Sequence, residues 1–121
     1  MSVKKKIAGF LARLAGAGSR GAVDKIPPEE AKAIMDSGRD CIILDVREET
    51  EYREGHIAGA LLIPVGQIEE KCRELLPDEE QLILVYCHSG VRSVIAAKKL
   101  AKLGYRQVKD FGGLMNWPYE L

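Results

Sequence analysis

The sequence lacks several features that would assign it to a familiar class. Its three cysteines are an odd number, and no CxxC pair or Cys/His spacing typical of zinc sites is present, which argues against a disulfide framework or a zinc site. No apolar run is long enough to span a bilayer, and no internal repeat or low-complexity tract occurs. The 121 residues, 46% hydrophobic and 30% charged, predict one globular domain with free thiols, hence a cytoplasmic location.

A general basic surface is also missing. The formal charges sum to zero, but residues 1–22 hold five basic residues and no acid, so residues 23–121 carry 13 basic against 18 acidic residues. Nucleic acids bind proteins through a surplus of lysine and arginine. We therefore expect no nucleic-acid partner for residues 23–121.

Residues 1–22 differ from the rest of the chain in composition. Apolar residues at positions 7, 10, 11 and 14 would form one stripe on a helix whose other sides are basic, and such a helix could contact an anionic membrane surface. The alternative is a flexible arm, separated from the domain by the Gly-rich residues 16–22. The segment also resembles a signal peptide, but Arg13 interrupts its apolar run. We expect a folded domain over residues 23–121 that is a monomer.

From Val23 onward, short apolar runs alternate with helical patterns. Proline at helix starts and glycine at helix ends mark several of the boundaries. The patterns predict strands over residues 22–26, 41–46, 59–65, 81–87 and 105–111, helices over 27–38, 47–55, 66–77 and 91–104, and a loop or short helix over 112–121. Strands that alternate with helices are typical of a mainly parallel sheet covered on both faces. The predicted fold class is α/β with three layers.

The stretch VYCHSGVRS places Cys87 at the carboxyl end of the most apolar predicted strand, directly before a helix. Ligands bind at this edge of open α/β sheets, because amides at the helix start are unpaired and the helix dipole favours negative charge. Gly90 would let successive amides converge on one point, and Arg92 adds a permanent positive charge. Together these groups would favour a reactive thiolate. The alternative is a buried structural cysteine, which is the interpretation we give to Cys41 and Cys72.

These residues belong to a longer pattern. The loop CHSGVRS resembles the active-site loop of the rhodaneses, the thiosulfate sulfurtransferases. Upstream, ILDVREETEYREGHIAGALLIP is similar to that family's Asp-x-Arg signature followed by Gly-His-Ile-x-Gly-Ala, and FGGLMNW is similar to its closing segment. The three segments stand in the family's order and cover nearly everything from Val23 onward. The resemblance implies a rhodanese-like domain.

The resemblance also implies roles for the matching residues. Cys87 matches the nucleophile that takes a sulfane sulfur from thiosulfate or a persulfide and passes it to a thiol, cyanide or protein acceptor. Asp45 and Arg47 match a pair that braces the site from the neighbouring strand, and His56 matches a structural histidine. No cofactor or metal is implied. The residues that match the substrate-binding loop are His88, Ser89, Gly90, Val91, Arg92 and Ser93.

Two other functions share this scaffold and stay open at this point. Protein tyrosine phosphatases and the rhodanese-fold phosphatases of the cell cycle place five residues between their cysteine and arginine, around a tetrahedral phosphate. Only four residues separate Cys87 from Arg92, which favours a pocket for a single sulfur atom. The other alternative is a rhodanese-like module that only binds partners, and the presence of Cys87 argues against it.

Overall fold

The computed structural model describes residues 23–121, and the predictions for residues 1–22 lie outside that part of the chain. No helix within residues 23–121 combines the length and the apolar character needed to cross a membrane. The 3-10 turns are Val65–Gln67 and Leu114–Asn116. The strands are β1 Asp24–Lys25, β2 Ile42–Asp45, β3 Leu61–Leu62, β4 Leu82–Cys87 and β5 Gln107–Gly113, and the helices are α1 Pro28–Asp36, α2 Glu49–Glu54, α3 Ile68–Leu75 and α4 Val91–Lys102.

The five strands form one sheet in the order β1-β5-β4-β2-β3, and every pairing is parallel. Strand β4 is central, with β5 on one side and β2 on the other. Its last residues pair with the ends of both neighbours: Tyr86 faces Asp45, and Cys87 faces Gly113. The predicted α/β class with a parallel sheet is confirmed, and Cys87 lies at the carboxyl edge where such sheets bind ligands.

The side chains of β4 alternate between two buried faces, as the period of a strand requires. Those of Ile83, Val85 and Cys87 pack in one cluster with buried residues of α3 and α4. Those of Leu82, Leu84 and Tyr86 pack in the other cluster, with α1 and with aromatic residues near the C-terminus. All six residues of β4 are buried, which explains why its sequence is an uninterrupted apolar run. The predicted cover on both faces of the sheet is confirmed.

Strand β3 is shorter than the predicted strand over residues 59–65. It comprises only Leu61–Leu62. A turn precedes it, in which the amide of Ala60 donates to the carbonyl of Ile57 at 3.0 Å. The amides of Ile63 and Val65 still donate to the carbonyls of Asp45 and Val46 at 3.0 Å, but the chain turns into a 3-10 helix at Val65. The apolar run therefore overstated the length of the strand.

Helix α2 begins at Glu49 rather than at residue 47 as predicted. The amide of Arg47 donates to the Asp45 carboxylate at 2.9 Å, which turns the chain before the helix can start. Glu48 then caps α2, since its side chain accepts from the amide of Glu51 while the Glu51 side chain accepts from the amide of Glu48. The two residues that follow Asp45 therefore belong to the site edge of the sheet.

Strand β5 extends to Gly113, two residues past the predicted end at residue 111. Its pairing with β4 shifts register between Val85 and Cys87, which is the signature of a bulge. Gly112 accommodates this bulge with a φ of 92°, a left-handed conformation that favours glycine. The extension brings the backbone of β5 alongside the residues that follow Cys87.

Candidate active site

Cys87 is the last residue of β4, and the backbone amide of the residue three positions later lies next to its sulfur. Gly90 caps α4 with a φ of 101°, a left-handed conformation available to glycine at little cost. In this conformation the Gly90 amide donates to Cys87 Sγ over 3.0 Å. The amide and the start of the 12-residue helix α4, whose first turn contains no acidic residue, favour negative charge on the sulfur.

The loop that follows Cys87 rests against the end of β5. Gly113 lies so close to it that a Cβ atom there would be only 2.1 Å from the carbonyl oxygen of His88. The same carbonyl accepts from the amide of Met115 at 3.1 Å. Gly112 is held by its own amide, which donates to the Asp110 carboxylate at 2.9 Å. Gly113 thus lets two backbones meet, a role that was not predicted from the sequence.

Asp45 and Arg47 lie together on the neighbouring strand end, as the resemblance implied. Arg47 donates from Nε and Nη2 to the Asp45 carboxylate at 3.0 and 2.8 Å, and both residues are buried. Tyr86 joins them, because its hydroxyl donates to Asp45 Oδ2 at 2.7 Å and accepts from the Ile57 amide at 3.1 Å. Burial and the bond to Asp45 raise the pKa of Tyr86, so its hydroxyl keeps its proton. Tyr86, the residue before Cys87, is thus anchored to the end of β2, on the face of the sheet opposite to the Cys87 side chain.

Arg92 lies in the first turn of α4 and reaches across to α2. Its Nη1 and Nη2 donate to Glu51 Oε1 and Oε2 at 2.7 and 2.9 Å. The pair is about one-third exposed, and the guanidinium holds the pKa of Glu51 at about 2. An anionic donor that used Arg92 would have to share it with this carboxylate. The two residues are 41 positions apart, so no local spacing in the sequence predicts the contact.

The remaining residues of the predicted binding loop divide into exposed and buried ones. His88, Ser89 and Val91 are exposed. Ser93 is buried, and its hydroxyl donates to the Gly90 carbonyl at 3.2 Å. That bond supports the conformation of the loop, and a direct contact of Ser93 with a donor stays a prediction.

His56 lies apart from the sulfur chemistry. Its ring stacks on that of Tyr52 with 3.6 Å between centroids, and Nδ1 lies 2.8 Å from the Tyr52 carbonyl oxygen. Tyr52 in turn donates from its hydroxyl to the carbonyl of Ala60 at 2.6 Å. These contacts agree with the structural role expected of this histidine.

An open cleft of about 340 Å³ lies beside the loop, lined by Arg47, Glu51, Glu54, Gly55, His88 and Leu121. Cys87 does not line the cleft, but His88, the next residue of the loop, does. Glu54 is exposed and has no ion-pair partner within residues 23–121. The cleft therefore borders the loop that follows Cys87, and its unpaired charge is negative.

The site therefore consists of a cysteine sulfur that accepts a hydrogen bond from a loop amide at the edge of a parallel sheet. Comparison with known families agrees with this geometry. The rhodanese-like domain matches residues 27–119. The chain belongs to the rhodanese-like domain family. Among solved structures of the same fold, the human single-domain sulfurtransferase TSTD1 superposes with a TM-score of 0.70 at 27% identity, over 79% of this chain and 96% of that one.

Two curated relatives give the family match a chemical context. One is the thiosulfate sulfurtransferase PspE of Escherichia coli, 35% identical over 71 residues, which are 59% of this chain and 68% of PspE. The other is the putative sulfur carrier protein YrkF of Bacillus subtilis, 38% identical over 96 residues. The match covers 78% of this chain but only 51% of YrkF. Rhodanese-like domains similar to this one thus occur both nearly alone and within longer chains.

The glycine that backs the loop provides a test of the site geometry. We predict that Gly113→Ala displaces the His88 carbonyl, because the added Cβ cannot stay 2.1 Å from it. The expected cost is about 1–3 kcal/mol of unfolding free energy, measured by urea denaturation. Gly66→Ala is the control, since a Cβ there meets nothing within 4 Å. Equal stability of the two variants would contradict the close approach.

The Glu51 carboxylate provides a second test, through pH. Its pKa is lowered from 4.5 to about 2, so its contribution to stability is present above pH 4.5 and is lost as the pH falls toward 2. We predict that the wild type exceeds Glu51→Gln in stability at pH 6 and loses that advantage by pH 2. Glu49→Gln, on the same helix but paired with the exposed Arg53, is the control. A stability difference that stays constant with pH would refute the pairing.

Proposed function

We propose that this protein is a sulfurtransferase in which Cys87 carries the sulfur as a persulfide. The observation that supports the proposal most is the Gly90 amide, which donates to Cys87 Sγ at 3.0 Å. A donor in this position stabilises a thiolate before the reaction, and the neighbouring loop amides would stabilise the anionic terminal sulfur after it. The names of the relatives, a thiosulfate sulfurtransferase and a putative sulfur carrier, support the same chemical class.

The reaction has two halves, and neither needs an external redox cofactor. In the first half, the Cys87 thiolate attacks the outer sulfur of thiosulfate, the S–S bond of the donor breaks, and sulfite leaves with the electron pair. A persulfide donor reacts in the same way and releases a thiolate. In the second half, a thiol, cyanide or protein acceptor attacks the outer sulfur of the Cys87 persulfide, and the Cys87 thiolate leaves. This is the sequence of steps of a ping-pong enzyme.

The residues around Cys87 would divide the work of binding and support. The backbone amides from His88 to Val91 would surround the terminal sulfur, while the exposed side chains of His88 and Ser89 control what reaches the buried cysteine. Ser93 holds the loop through the Gly90 carbonyl. Because the Asp45–Arg47 pair binds the Tyr86 hydroxyl, it fixes the strand end from which Cys87 projects.

Replacement of each cysteine in turn tests this assignment. We predict that Cys87→Ser abolishes turnover of thiosulfate with cyanide as acceptor, because a serine hydroxyl cannot hold a sulfane sulfur. Cys72 is buried within α3, and Cys41 lies directly before β2. Neither belongs to the loop, so Cys41→Ser and Cys72→Ser should keep most of the activity. Turnover by the Cys87 variant at the wild-type rate would overturn the proposal.

Aryl phosphate hydrolysis tests the phosphatase alternative. Only four residues separate Cys87 from Arg92, and Arg92 is engaged by Glu51, so the loop is poorly suited to enclose a tetrahedral dianion. We predict that the wild type shows no Cys87-dependent hydrolysis of an aryl phosphate, and that vanadate does not inhibit sulfur transfer. Inhibition by vanadate together with phosphate release would favour a phosphatase.

A further inference from the structure

The ion pair between Arg92 and Glu51 determines the charge that a reaction partner meets beside Cys87. Both terminal nitrogens of Arg92 donate to the Glu51 carboxylate, in a fork-to-fork geometry that leaves neither carboxylate oxygen unbound. Glu51 is itself fixed, because it also accepts from the Glu48 amide at 2.9 Å as part of the cap of α2. The pair is therefore a built contact between two helices and not an incidental surface contact.

The other charges at the cleft leave no surplus of positive charge. Arg47, the arginine that lines the cleft, is engaged by the buried Asp45 carboxylate and by the Gly55 carbonyl at 2.7 Å. Glu54 lines the same cleft with no ion-pair partner within residues 23–121. When the Asp45 carboxylate that binds Arg47 is counted with them, the two arginines of the cleft and loop, Arg47 and Arg92, stand against three carboxylates, those of Asp45, Glu51 and Glu54, which is an excess of one negative charge.

This distribution of charge disfavours the binding of an anionic partner and favours that of a cationic one. Thiosulfate brings two negative charges to the sulfur, and all of its charge leaves with sulfite. A thiol that carries an amine brings a positive charge toward Glu51 and Glu54 instead. Because His88, the residue after Cys87, lines the cleft together with Glu51 and Glu54, a group attached a few bonds from the reacting sulfur can reach the carboxylates.

We propose that Glu51 is a specificity-determining residue: by holding Arg92 it makes the site prefer amine-bearing thiols and their persulfides over anionic sulfur partners. The inference rests on the proposed function, since it concerns partners of the Cys87 persulfide. The transfer balances without a further reactant, because the thiol sulfur bonds to the outer sulfur of the persulfide, the Cys87 S–S bond breaks and the Cys87 thiolate leaves. The thiol proton passes to solvent.

Three thiols with the same two-carbon spacer test the preference. The protein is loaded with thiosulfate, freed of small molecules, and treated with cysteamine, 2-mercaptoethanol or 3-mercaptopropionate, which carry a positive, neutral and negative group. The unloading rate of each is followed by the mass of the intact protein. Differences in intrinsic thiol reactivity cancel when the cysteamine-to-mercaptopropionate rate ratio is compared between variants.

In Glu51→Gln, we expect this ratio to fall by roughly 5-fold or more. The two thiols differ by two units of charge, and the estimate assumes that their charged groups lie about 7 Å from residue 51 in a solvated site. The rate of loading by thiosulfate should rise in the same variant. Glu49→Gln makes an identical change of net charge on the same helix, but at an exposed pair with Arg53, and should leave the ratio unchanged. A ratio in Glu51→Gln equal to that of the wild type would overturn the proposal.

A double-mutant cycle separates charge from loop structure. If charge sets the preference, Arg92→Gln raises the ratio, and the double variant Glu51→Gln/Arg92→Gln returns it toward the wild-type value. If the ion pair only holds the loop, all variants lose rate with all three thiols alike, and the proposal is wrong. A wild type that acquires no sulfur from thiosulfate or from a persulfide would instead refute the proposed function, which keeps the two failures distinct.

Discussion

The hydrogen bond from the Gly90 amide to Cys87 Sγ is the contact on which the site depends. It requires Gly90 in a left-handed conformation at 101°, so that the chain turns back over the sulfur before α4 begins. It also requires the His88 carbonyl to lie against Gly113, where a side chain would leave only 2.1 Å. One glycine at the start of α4 and another at the end of β5 thus permit one bond to sulfur, and the rest of the loop is arranged around it.

The sheet holds this loop from both faces at once. Cys87 belongs to the cluster on the side of α3 and α4, whereas Tyr86 points to the other side and bonds Asp45. Because Asp45 is buried and already bears the Arg47 pair, removal of any one partner would leave a buried polar group unsatisfied, which is costly. The orientation of the strand end is therefore fixed by polar contacts on one face and by apolar packing on the other.

The sequence predicted the parts of this site that follow from local pattern. Alternation of apolar runs and helical periods indicated the parallel sheet, and the apolar run before Cys87 indicated a central strand, because a strand buried on both faces has no polar positions. The length of β3 was overestimated because the apolar run continues into the 3-10 turn that begins at Val65, and apolar character alone does not show where a strand ends. The contacts of Arg92 with Glu51 and of Tyr86 with Asp45 join residues 41 positions apart, and only the three-dimensional arrangement of strand and helix ends brings them together.

We propose that the sulfur of Cys87 accepts a second sulfur atom and holds it under the loop amides. Mass analysis of the protein after treatment with thiosulfate, followed by localisation of the added mass within a peptide digest under non-reducing conditions, measures this directly. We expect a gain of one sulfur atom, confined to the peptide that contains Cys87 and reversed by a thiol or by cyanide. No added mass with either thiosulfate or a persulfide donor, or a sulfur found on Cys41 or Cys72 instead, would contradict it.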